Sequence, residues 1–412
     1  MKAMPYIQHV NRYLSRHSGY DQLSISNKNP DVNLIVVIPS YFEKELEVTL
    51  RSLSACIDSD QGVEIIVILN SSENCSEEIR TFHRNQQVIL EQLKFPFKAH
   101  IFLLENIPSK IAGVGYARKT GMDTALKRLA TNHAEDGIIV CLDADCHVSP
   151  NYFTTIQEYF KGQLAKQAVH LYFEHVMPRD ADLKKSIIHY ELHLRLMKLN
   201  LQKAGHPQAY HTVGSCLAVK AWAYAAQGGM NSRQAGEDFY FIHKFSKIGQ
   251  LDELNTTTVY PSARESSRVP FGTGAAVKKA MGGLDQRTYH PDSYRQIQKI
   301  ITEIPIFYSG DYTGQHYFLG FKSKEFTKKI DEIRKHTSNL KAFTQRFFQW
   351  FDAFQVIKFL HYLRDCGNCD QDAGTACRAF LQDHGCDIPM EAYDQLEILR
   401  QIDKKDLSPI SA

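Results

Sequence analysis

IIVCLDADCHVSPNYF, residues 138–153, begins as a buried strand and ends in two aspartates, Asp143 and Asp145, with one alanine between them. An apolar strand buries its side chains readily, whereas a buried carboxylate needs a partner. The two acids therefore either cap the helix that should start near Ser149-Pro150 or hold a cation. Ser149 already suits the cap. Two carboxylates exceed what one helix start requires, so the pair points to a cation, and the flanking chain must supply the rest of such a site.

Upstream, the same kind of run recurs. NLIVVIP (33–39), VEIIVIL (63–69), AHIFLLE (99–105) and GIIVCLD (137–143) are short, β-branched and nearly all apolar. Such runs suit a parallel sheet covered on both faces. The amphipathic segments EKELEVTLRSLSACI, CSEEIRTFHRNQQVILEQL and GYARKTGMDTALKRLA lie between them, a spacing that fits right-handed βαβ units. Polar residues follow the first, second and fourth runs, and ligands of open α/β sheets bind beyond the carboxyl ends of strands. The expected fold is an open, mostly parallel α/β sheet with flanking helices and a helical C-terminal extension.

The order of elements predicts a helical lead-in over 1–32 and an α/β domain over 33–290. Within it, 33–150 reads as a nucleotide-binding half and 151–290 as an acceptor half, followed by a mostly helical region over 291–412. KQAVHLYFEHV and HTVGSCLAVK read as strands, SIIHYELHLRLMKLNLQ as a helix, and AFTQRFFQWFDAFQVIKFLHYL as one periodic helical segment whose aromatic residues pack.

Lys plus Arg number 48 against 46 for Asp plus Glu, a formal charge of +2 that gives no support to a nucleic-acid binder. The N-terminus lacks a secretory h-region, and no run approaches the roughly 18 apolar residues of a membrane span. The reading is cytoplasmic, with peripheral membrane contact left open. Nine cysteines, thinly spread before the tail, suit a reducing compartment. Cys366, Cys369, Cys377 and Cys386 provide one C-x2-C pair rather than the two usual in zinc knuckles, so free thiols are expected there.

Taken together, PSYFEKELEVTLRSL, GVGYARKTGMDTAL, LDADC and GEDFYF resemble, in that order, the motifs of the family-2 glycosyltransferases, nucleotide-sugar-dependent enzymes with the GT-A fold. The resemblance spans about residues 33 to 285 and implies a role for each segment. It places Pro39, Tyr41 and Glu43 near the nucleotide, Arg118 near the diphosphate, and Asp143 and Asp145 on Mg²⁺ or Mn²⁺. It makes Asp238 the general base for an acceptor hydroxyl, with Glu237 orienting a substrate or that base, and so implies inversion. The donor would be a nucleotide sugar. The acceptor could be a glycan, a lipid-linked molecule or a small molecule, in a setting such as cell-surface glycan synthesis.

Physical chemistry supports these assignments. A nucleotide diphosphate leaves readily only when its developing charge is neutralised, which a hard cation on carboxylates does. Arg118 and Lys119 sit at a helix start, which attracts anions. Gly113 and Gly115 do not make a dinucleotide fingerprint, because Arg118 stands where the third glycine would be. Asn70 replaces the acid common after the second strand and can still hydrogen-bond a base or ribose. PSARESSRVPFGTG (261–274) suggests a closing loop in which Arg264 and Arg268 bind an anion. His211, His243 and His290 carry no assigned ligand role. Two other classes stay open: a sugar-phosphate nucleotidylyltransferase, whose phosphate loop PSYFEKE does not match, and a catalytically idle nucleotide- or glycan-binding protein.

Overall fold

The computed structural model describes residues 5–17, 23–57, 62–162, 164–232, 236–265, 272–281, 287–311 and 323–405. The chain forms two compact units. The first comprises Met1–Val176 with Thr212–Ser262, and the second Met177–His211 with Ala263–Ala412. Residues 177–211 thus belong with the C-terminal helices of the second unit.

In the first unit the elements run α1 (Pro5–Arg16), β1 (Leu34–Ser40), α2 (Leu46–Ser54), β2 (Val63–Ser72), α3 (Glu77–Gln92), β3 (Lys98–Ile107), α4 (Val114–Thr131), β4 (Ile138–Cys141), β5 (His147–Val148), α5 (Tyr152–Lys161) and β6 (Ala168–Phe173). α6 (Ala181–Lys203) belongs to the second unit. The first unit resumes with β7 (Leu217–Lys220), α7 (Ala221–Ala226), α8 (Glu237–Ser246) and β8 (Leu251–Tyr260). Its eight strands form one sheet in the order β3-β2-β1-β4-β7-β6-β8-β5. The four strands read from the upstream runs pair in parallel. β1, β2 and β4 are buried on both faces, whereas β3, at the sheet edge, is mostly half-buried. Beyond them the sheet is mixed: β7 runs antiparallel to β4 and β6, and β5 antiparallel to β8. HTVGSCLAVK is strand only over its last four residues, so residues 212–216 are left irregular.

α4 lies against β1 and β2 with little room to spare. A Cβ at Gly121 would come 2.3 Å from Val37 Cγ1. Glu64 of β2, fully buried, accepts from Arg128 of α4 at 2.7 and 2.8 Å and pairs with His100 at 3.1 Å. Burial alone would raise the Glu64 pKa, but hydrogen bonds from His100, Arg128 and Asn29 hold it down at about 2. α1 docks through Asp123, which accepts from Tyr13 at 2.8 Å, Tyr224 at 2.6 Å and Lys119 at 2.7 Å.

In the second unit α6 is joined by α9 (Thr273–Met281), β9 (Arg287–Thr288), α10 (Pro291–Thr302), α11 (Ile304–Ser309), α12 (Ser323–Lys335), α13 (Leu340–Trp350), α14 (Ala353–Asp365), β10 (Gln371–Asp372), α15 (Ala373–Asp383) and α16 (Ala392–Lys404). The expected single aromatic helix is two. Asp352 accepts from the Phe354 and Gln355 amides and starts α14, while Phe343, Phe347 and Phe351 are fully buried in one core. A polar cap inside an apolar run has overridden its helical period. α6 and α16 are tied by buried charges: Glu191 with Arg195 and Arg400, and Asp403 with Arg195, Lys198 and His211.

Candidate active site

Both aspartates of DAD lie at the exit of β4. α2 shapes their turn from beneath: Thr49 Oγ1 donates to the Ala144 carbonyl at 2.8 Å, and Ser52 Oγ accepts from the Val148 amide at 3.0 Å. With Ala144 buried, Asp143 and Asp145 on either side remain half-buried. Neither caps α5, whose N-cap is Asn151 with no side-chain cap bond. Ser149, expected as that cap, instead exchanges hydrogen bonds with the Thr258 backbone. The capping explanation for the two acids is thereby removed.

Asp143 meets the GEDFYF segment through Arg118. Gly236 adopts φ 73°, a left-handed conformation that glycine accepts without strain, and turns the chain into α8. Glu237, 2% exposed, is ion-paired with Arg118 Nη1, while Arg118 Nη2 lies 2.6 Å from Asp143 Oδ1. Burial disfavours charge on Arg118, yet Asp143 and Glu237 hold its pKa above the ordinary value. Arg118, expected near a diphosphate, is 2% exposed here, and its two terminal nitrogens donate to Glu237 and Asp143. Lys119 is likewise spent, on Asp123 and Tyr13. At this helix start Arg118 is buried and Lys119 half-buried, both paired with carboxylates.

Asp238, half-buried, accepts from the Phe239 amide at 2.7 Å. Burial pushes its carboxyl up to about 6; Arg118 pulls the value down and Glu237 pushes it up. A pKa close to neutrality is what a proton acceptor needs. Gly214, in the irregular stretch before β7, completes the cluster. A Cβ there would lie 2.8 Å from Asp238 Oδ2 and 3.0 Å from Arg118 Nη1. Sequence reading passed over Gly214 because it treated this stretch as strand.

The exits of β1 and β2 are held by buried polar groups. Pro39 is buried in β1 opposite Ile68. Asn70, 4% exposed, donates to the Ser40 carbonyl at 2.9 Å. Glu43, 1% exposed, accepts from the Glu45 amide at 2.9 Å and so shapes the entry to α2. Tyr41 is half-buried, its ring edge-on to His83. His83, with no sequence signal of its own, accepts from the Phe42 amide at 2.8 Å; burial lowers its pKa to about 4 and keeps it neutral. Arg264 follows β8, is half-buried and belongs to the second unit. Arg268 lies outside the described residues. His211 is engaged with Asp403, and His290 caps α10.

Asp143 and Asp145 form an all-oxygen donor pair at a partly open turn, which fits a hard divalent cation. Among the described residues, no group of three or more His, Cys, Asp or Glu side chains is arranged to hold a metal ion. A cation here would therefore complete its shell with phosphate oxygens and water, as Mg²⁺ commonly does. In the tail, Cys366 and Cys369 are exposed, whereas Cys377 is buried within α15.

Residues 35–221 match the family model described as glycosyl transferase family 2. That stretch is similar to a family-2 glycosyltransferase domain, and the match supports a glycosyltransferase. Among solved structures the chain is similar to S. aureus TarS 1-349 in complex with UDP-GlcNAc, at 13% identity over 91% of this chain and 89% of that chain, with a TM-score of 0.41. It is also similar to the mannosyltransferase PcManGT from Pyrobaculum calidifontis in complex with GDP-Man and Mn²⁺. There the identity is 14% over 97% of this chain and 95% of that chain, with a TM-score of 0.35. No curated protein matches the chain. No described helix is long and apolar enough to cross a membrane.

Proposed function

We propose that this chain moves a sugar from a nucleoside-diphosphate sugar to an acceptor hydroxyl, with inversion at the anomeric carbon. The observation that carries this reading is the gathering of Asp143, Glu237 and Asp238 around Arg118, beside the half-buried DAD turn. Asp143 and Asp145 would hold Mg²⁺ or Mn²⁺, which when bound supplies positive charge to the departing diphosphate. Asp238 takes the proton of the acceptor hydroxyl as its oxygen bonds the anomeric carbon. The bond from that carbon to the diphosphate oxygen breaks on the opposite face, and its electron pair leaves with the nucleotide. Tyr41 stands at the exit of β1 for contact with the nucleotide, while Pro39, Glu43 and Asn70 keep that exit in shape.

The test is thermal denaturation with UDP or GDP, in Mn²⁺ and in EDTA. One nucleotide should raise the melting temperature by several degrees more in Mn²⁺ than in EDTA. Asp143→Asn with Asp145→Asn should erase that difference. A Mn²⁺ effect that survives the double substitution would remove both residues from the cation site.

A further inference from the structure

We infer that Gly214 and Arg118 are positioning residues that set where the Asp238 carboxylate stands, an assignment that rests on the transferase reading above. Arg118 donates from two different nitrogens, Nη1 to Glu237 and Nη2 to Asp143. It thereby ties the start of α8 to the exit of β4, two segments far apart in sequence. The guanidinium is planar, so fixing two carboxylates on its two arms also fixes the angle between them. Asp238 follows Glu237 directly, and its position is inherited from that tie.

Gly214 provides the space for this arrangement. Its φ lies outside the left-handed region, so its backbone accepts any side chain. The need for glycine comes from its neighbours: a Cβ would sit 2.8 Å from Asp238 Oδ2, 3.0 Å from Arg118 Nη1 and 3.1 Å from Arg118 Nη2. All three are polar ends of side chains in the cluster, and none is backbone. An added methyl must push the carboxylate, the guanidinium or both, while the fold itself has no reason to change.

The experiment compares wild type, Gly214→Ala and Arg118→Lys. It measures release of UDP from UDP-N-acetylglucosamine and of GDP from GDP-mannose, with Mn²⁺ present and water as acceptor. Gly214→Ala should lower kcat about 10²-fold while KM for the donor stays within about threefold. The Mn²⁺-dependent rise in melting temperature with UDP or GDP should persist in it. Arg118→Lys keeps the charge but cannot serve two carboxylates from two rigid arms, so it should reproduce the loss of kcat. Wild-type kcat in Gly214→Ala would overturn the inference, as would a loss carried by KM alone. A wild-type protein that neither binds nor cleaves any nucleotide sugar would defeat the transferase reading first, and the inference with it.

Discussion

The proton-accepting role proposed for Asp238 rests on its surroundings. Burial raises its pKa to about 6, and Arg118 prevents a larger rise. Only the ionised carboxylate can accept a proton, so kcat/KM should be flat above about pH 6 and fall about tenfold per unit below it. A pH profile of donor cleavage reads this directly, and a flat profile down to pH 4 would assign the base elsewhere. Asp238→Asn keeps the size and the contact with the Phe239 amide but cannot take the proton. It should cut turnover by about 10²–10⁴-fold and leave nucleotide binding intact. Product configuration determined by NMR tests inversion in the same reaction.

α4 shows how one element serves both stability and the site. Gly121 lets it approach β1, and the same helix delivers Arg118 to the cluster about one turn earlier. A methyl at 121 would collide with Val37 and crowd Ile68, whose nearest atom is 3.2 Å away. Overpacking of this kind costs about 1–3 kcal/mol. Gly121→Ala should therefore lower unfolding free energy by about that amount, read from urea melts, even though alanine favours helices more than glycine does. A stabilised variant would show that the helix can move away from the sheet at no cost.

At the scale of the whole molecule, packing joins what the chain separates. α6 and α16 lie about two hundred residues apart, yet Asp403 is bound by Arg195, Lys198 and His211, and Glu191 by Arg195 and Arg400. Burial raises the Asp403 pKa, but His211, Lys198 and Arg195 carry it well below the usual 3.8. The stability this carboxylate contributes is therefore present above about pH 4 and lost as pH falls toward its folded pKa. Asp403→Asn takes one buried negative charge away from Arg195, Lys198 and His211 and should cost about 3–5 kcal/mol. Trp350 of α13 reports that loss by fluorescence in a Trp222→Phe background. Unchanged stability would mean that the cations find other partners or water.

Sequence alone determined the features whose physics is local. Four apolar strands with helices between them, the polar strand exits and the DAD pair were legible because apolar period and residue type act within a few neighbours. Which polar group would find which partner was not legible. Arg118 and Lys119, at a helix start that invites anions, turned inward because carboxylates from distant segments were there to receive them. Asn70, Glu43 and His83 are held by backbone groups between the end of β1 and the start of α2, contacts that no spacing announces. Gly214 was hidden because its importance is an empty volume, defined only once Asp238 and Arg118 converge. Residues 177–211 join the second unit, where α6 shares an apolar core with α15 and α16 and buried ion pairs with α16. Ion pairing and exclusion of volume depend on distance in space, and that distance exists only in the folded chain.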